Sequence, residues 1–104
     1  MKQPSAQCPA EPTLAVIGGR WKVRILYYLF DRPHRFSELK RAMVGCTQKM
    51  LTQQLREMEA DGIVRRKVFA QVPPKVEYSL TTRGRTLKPI VEAMCQWGKC
   101  AARR

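Results

Sequence analysis

Four cysteines, a single histidine and one run of amide, hydroxyl and basic side chains carry whatever chemistry this chain performs. Cys8, Cys46, Cys95 and Cys100 are scattered, and none stands in a Cys-x-x-Cys pair. The spacing therefore supports neither a zinc site nor a disulfide framework, and thiols at rest in a reducing compartment are expected. His34 lies in the turn sequence DRPHR and reads as a solvated surface residue rather than a catalyst or metal ligand. There is no glycine-rich phosphate loop, no pair of carboxylates and no nucleophile beside a base, so an enzyme is the least expected class. No metal and no cofactor are expected.

The run TQKMLTQQLREMEADGIVRR, Thr47–Arg66, opens with hydroxyl, amide and lysine and crowds Glu57, Glu59 and Asp61 at its far end. Thr47 is a good N-cap, and at about 100° per residue Leu51, Leu55 and Met58 share one face of the helix it starts. Gln48, Lys49, Thr52, Gln53 and Arg56 fall on the opposite arc. Lysine and arginine pair with phosphates or guanine edges, glutamine meets adenine with a donor and an acceptor, and threonine offers a hydroxyl and a methyl. The start of the helix is thus dressed to enter the major groove of DNA. Its acidic end would be repelled by phosphates.

The elements that must position this helix follow from the flanking sequence. Residues 1–11 are polar and proline-rich and read as a flexible N-terminal arm carrying Cys8; residues 12–104 read as a single domain, since 104 residues are too few for two sizeable cores. PTLAVIGG predicts a short helix stopped by Gly18 and Gly19, and WKVRILYYLF, Trp21–Phe30, a buried central one. Ser37 is placed to cap a helix over Glu38–Val44, which Gly45 ends in a tight turn before Thr47. IVRRKVFA and VEYSL alternate as strands around QVPPK, predicting a hairpin whose prolines belong at an exposed tip. Arg65, Arg66, Lys67 and Lys75 load it with positive charge. A two-helix turn followed by a basic hairpin is the layout of a winged helix, with Arg66, Lys67 and Lys75 as the wing's contacts to DNA.

After Thr81 and Thr82 one last helix is predicted through RGRTLKPIVEAMCQWGKC, kinked by Pro89. Leu87, Ile90, Val91, Met94 and Trp97 line one face of it. This stripe is too apolar to leave in water on so small a domain. It marks a dimerisation helix, because two reading heads related by a two-fold axis would read an inverted repeat.

Twenty Lys and Arg against eight Asp and Glu give a formal net charge of +12. Such a balance favours a polyanionic partner. RNA binding is the competing class, but it calls for exposed aromatics on a sheet, and the only predicted sheet is a small basic hairpin. The start of the chain lacks an apolar targeting segment and ILYYLF is too short to span a bilayer, so a cytoplasmic protein with no membrane partner is expected.

The blocks CPAEPTLAVIGGRWKVRIL, RFSELKRAM, TQKMLTQQLREMEADGIV, VPPKVEYSLTTRG and LKPIVEAMCQWG, in this order over roughly residues 8–98, resemble the HxlR-type regulators, a branch near the MarR group. The resemblance implies a mainly α fold with a small β-hairpin, a MarR-like winged helix-turn-helix that dimerises through its terminal helices. Its function would be that of a homodimeric transcriptional regulator on double-stranded DNA; a steric repressor is the expected form, and activation is equally compatible with the sequence. In several members the cysteine of the N-terminal Cys-Pro senses oxidants or electrophiles, and here that residue is Cys8. The thiolate is the form that reacts, and helix N-termini favour it; Cys8 stands just ahead of a helix start. In some relatives a second cysteine of the other subunit closes a disulfide, for which Cys46 and Cys100 both remain candidates. A second inducer class is an aromatic small molecule in a dimer cleft lined by Trp21, Tyr27, Tyr28 and Trp97, although aromatics at helical spacing are more often core.

Overall fold

The apolar run after Trp21 becomes the helix around which the others pack. In a computed structural model, which describes residues 8–102, the elements are α1 (Ala10–Ile17), α2 (Lys22–Asp31), β1 (His34–Arg35), α3 (Phe36–Ala42), α4 (Gln48–Ala60), β2 (Val64–Phe69), β3 (Lys75–Leu80), α5 (Thr82–Arg85) and α6 (Lys88–Ala102). Helix α2 buries Ile25, Leu26 and Leu29 against β3, α4 and α6. Leu39 and Met43 from the α3 segment and Leu51, Leu55 and Met58 from α4 complete the same core. Each of these side chains contributes about 2 kcal/mol by leaving water. The result is a winged helix.

Helix α1 starts at Ala10, so the last two residues of the span read as an arm are helical. Residues 1–7 of that arm lie outside the described residues. The turn between α3 and α4 needs Gly45, whose φ of 91° is in the left-handed region that side chains disfavour.

Three local expectations are corrected. His34 is not solvated: it is 7% exposed, because His34 and Arg35 add a short strand to the wing, giving a three-stranded antiparallel sheet in the order β1-β3-β2. Its register places His34 opposite Tyr78, and the imidazole Nδ1 donates to the Arg32 carbonyl at 2.8 Å. Second, α3 begins at Phe36, before Ser37. Its start is held by the Arg35 N–H, which donates to Glu38 Oε1 at 2.8 Å. That bond, with Arg32 nearby, keeps the Glu38 carboxyl below its usual range.

Third, the last helix is two helices. Thr81 Oγ1 accepts from the Gly84 N–H at 3.0 Å and caps the single turn of α5. The chain then turns at Thr86, driving Leu87 into the core at 8% exposure, and restarts as α6. Pro89 falls in the first turn of α6, where its missing N–H costs no hydrogen bond, and it makes no kink.

Candidate nucleic-acid interface

Helix α4 is anchored on one side and dressed on the other. Leu51, Leu55 and Met58 are 0–1% exposed, and Thr47 Oγ1 accepts from the Met50 N–H at 3.1 Å, fixing where the helix starts. The opposite arc presents Gln48, Lys49, Thr52, Gln53 and Arg56, which together line one shallow surface depression. All five predicted reading residues are brought together. Thr52 spends its hydroxyl proton on the Gln48 carbonyl at 2.8 Å, which leaves its methyl and a lone pair for a partner.

Two of the three acids at the far end of α4, Glu57 and Glu59, are each tied to a base. Glu57 Oε1 lies 2.7 Å from Lys22 Nζ, and its Oε2 accepts from Gln53 Nε2 at 3.0 Å. The Lys22 ammonium, followed by the Gln53 amide, holds the Glu57 carboxyl below its usual range. Glu59 Oε1 lies 3.7 Å from Arg66 Nε. Sequence reasoning missed both partners. The four-residue spacing of Gln53 and Glu57 could have suggested their contact, but nothing in the sequence marks Lys22 as 8% exposed.

The wing divides by strand alternation. In the β2–β3 register Arg66 lies opposite Tyr78, Lys67 opposite Glu77 and Phe69 opposite Lys75. Val64, Tyr78 and Leu80 are buried, and Arg66 shares their side of the strand, its Nε near Glu59 of α4 while the side chain stays 48% exposed. Burial raises the Tyr78 phenol above its ordinary range, keeping it neutral beneath Arg66. On the outer side Lys67 and Lys75 hold their ammoniums 4.9 and 4.6 Å from the centre of the Phe69 ring. Lys75 Nζ is also 3.7 Å from Glu77 Oε2. The two lysines and Phe69 therefore form one basic, aromatic-backed patch, a grouping in which Phe69 went unrecognised in the sequence.

A helix-turn-helix followed by a basic wing is an arrangement that many regulators share, and comparison narrows it. The HxlR-like helix-turn-helix family matches residues 16–104. This chain belongs to that family. The HTH-type transcriptional regulator YybR of Bacillus subtilis (strain 168) is 60% identical over 92 residues, covering 88% of this chain and 74% of the relative. Among solved structures, the redox regulator HypR in its reduced form superposes with a TM-score of 0.87 at 58% identity, over 89% of this chain and 92% of that one. The reduced form of the transcriptional regulator YodB from B. subtilis gives 0.77 at 35% identity, over 93% and 91%. The chain is a transcriptional regulator of the HxlR type with a DNA-binding fold.

In this HxlR-type regulator the cysteines differ sharply in access. Cys8 and Cys100 are exposed, and Cys95 is half-buried against the core. Cys46, read as a candidate disulfide partner in the turn before α4, is instead 2% exposed and packed in the core. The stripe on the last helix also splits. Leu87 and Val91, at 8% and 1% exposure, are packed in the chain's own core. Ile90, Met94 and Trp97 stay exposed, at 41%, 45% and 72%. Of the aromatic cleft residues, Trp21 is buried, with the Arg20 and Arg24 guanidiniums 4.8 and 5.1 Å from its ring centre; Tyr27 and Trp97 are exposed. Among the described residues no cluster of His, Cys, Asp and Glu could hold a metal, and no helix is long and apolar enough to cross a membrane.

Proposed function

We propose that this chain is a homodimeric, sequence-specific DNA-binding repressor. The observation that carries the reading is the exposed face of α4: Gln48, Lys49, Thr52, Gln53 and Arg56 share one depression, over a helix whose other face is locked in the core. These residue types suit base edges and phosphates. Lys67 and Lys75 on the wing add sequence-independent phosphate contacts beside them, while Arg66 steadies the wing against α4. The unpartnered apolar residues Ile90, Met94 and Trp97 of α6 supply the dimer face, and a two-fold dimer reads an inverted repeat. Bound over a promoter, the dimer blocks polymerase.

The signal that releases DNA is oxidation or electrophile attack at Cys8. Exposure of this thiol supports the reading, as does likeness to HypR, a redox regulator by name with reduced and oxidised structures. Cys100 is the better placed second thiol, since pairing through Cys46 would require opening the core. A ligand-controlled regulator is the second reading. It draws on the concavity between α2 and α6 lined by Tyr27, Phe30 and Cys95.

Selection from a pool of random duplexes tests the first reading. An enriched inverted repeat is the expected product, and a pool that stays random would refute it.

A further inference from the structure

Gln53 is the one reading residue of α4 whose side-chain amide is held before any partner arrives. We infer that Lys22 and Glu57 act as positioning residues that fix the orientation of the Gln53 amide, so that α4 reads an A·T pair at the position Gln53 faces. The inference rests on the proposed DNA-binding role of α4 and deepens it.

The chain of contacts begins in the interior. Lys22 is 8% exposed, and its Nζ meets Glu57 Oε1 at 2.7 Å. A largely buried ammonium left unpaired is strongly unfavourable, so Glu57 is held to that contact. The carboxylate is then an acceptor with one oxygen free, and Oε2 faces Gln53 at 3.0 Å. An ionised carboxylate accepts and cannot donate. Only the NH2 end of the Gln53 amide can therefore face it, because the flipped amide would set oxygen against oxygen. This leaves Oε1 and the second N–H of Gln53 for a partner.

One acceptor beside one donor matches adenine, whose major-groove edge offers the N6 amino group and N7. Guanine offers two acceptors, O6 and N7, and would leave Gln53 Oε1 facing another oxygen. Freezing the amide before binding also removes part of the ordering cost of a flexible side chain. The charge on Lys22 thus reaches the base through two side chains without touching DNA.

The inference makes an asymmetric forecast for two substitutions at one site. In Glu57→Ala the Gln53 amide is free, and preference at that one base pair should flatten. In Glu57→Gln the buried Lys22 can accept nothing, so it must take the new amide's oxygen, turning the NH2 of residue 57 towards Gln53. Gln53 then answers with Oε1 and presents its remaining lone pair and N–H in the reversed order, which sets acceptor against adenine N7 and donor against adenine N6 and so disfavours A·T at that position.

The test is the affinity of the full chain for a bound duplex in which each base pair is changed in turn. Wild type, Gln53→Ala, Glu57→Ala, Glu57→Gln and the Lys22→Met/Glu57→Ala double variant would be compared. The double variant leaves no unpaired buried ammonium, and affinity for random duplex with its salt dependence reports that each protein is folded. Wild type should prefer A·T by roughly tenfold at one position. Gln53→Ala, Glu57→Ala and the double variant should lose that preference alone, and Glu57→Gln should turn it against A·T at the same position. If Gln53→Ala flattens one position while every Glu57 variant keeps the wild-type pattern, the positioning role is overturned and the DNA-reading role of α4 stands. A wild type without preference at any base pair overturns both.

Discussion

Gly84 approaches Ile63 so closely that a Cβ on it would lie 2.3 Å from the Ile63 carbonyl oxygen. That carbonyl also accepts from the Thr81 backbone N–H at 3.0 Å, and Thr81 Oγ1 donates to the Gly62 carbonyl at 2.6 Å. Helix α5 is thereby pressed onto the joint between α4 and the wing. Any side chain at position 84 would force α5 and the Ile63 backbone apart at this joint.

Gly84→Ala is accordingly expected to cost about 2 kcal/mol, the scale of forced overpacking. In a domain of this size that lowers the thermal midpoint by roughly 10 °C. An unchanged melting curve would mean that the joint yields without strain.

Acid should weaken the link between α2 and α4. Glu57 and Glu38 both titrate below the usual carboxylate value of 4.5, so the folded chain keeps their charges at pH values where the unfolded chain has taken up protons. The stability they give is present above pH 4.5 and lost as pH falls through their folded values. Urea midpoints measured from pH 7 to pH 3 should fall more gently for Glu57→Gln than for wild type. Parallel curves would show that Lys22 does not favour the ionised form of Glu57.

Much of α4 was legible in the sequence because amphipathic period and capping are local properties. Thr47, the apolar triplet and the polar arc all stand where a 3.6-residue period puts them. What was illegible depends on partners far along the chain. His34 and Arg35 form a strand only because Tyr78 and Glu77 lie alongside, and two residues carry no period of their own. Cys46 and Lys22 are enclosed by helices from elsewhere. Leu87, Val91 and Trp97 fit one helical stripe, but only the packed structure separates the two that face inward from the one that does not.

Thiol reactivity should follow exposure. A bulky thiol reagent should modify Cys8 and Cys100 rapidly and Cys46 only on unfolding, because Cys46 is 2% exposed. In DNA-binding titrations Cys8→Ser should abolish the response to mild oxidant, and Cys46→Ser should leave it intact. Fast labelling of Cys46 in the folded chain would restore it as a candidate switch.

Residues of α6 should separate into two phenotypes. Trp97→Glu alters an exposed side chain and is expected to give a stable monomer by sedimentation at micromolar concentration, where the proposed wild-type dimer is expected to sediment as a dimer. Val91→Ala empties a core position and should lower stability by about 2 kcal/mol without changing the dimer. A dimer that survives Trp97→Glu, Met94→Glu and Ile90→Glu alike would move the interface elsewhere.

The most direct measurement is the affinity of the reduced protein for the DNA upstream of its own gene, against equal masses of random duplex and structured RNA, over a range of salt. Wild type should prefer the upstream duplex by roughly 10³ or more, with affinity falling steeply as salt rises. A Lys49→Ala/Gln53→Ala/Arg56→Ala variant that still folds should lose that preference. Equal binding to all three nucleic acids, or a preference that survives the triple substitution, would contradict α4 as the element that reads DNA.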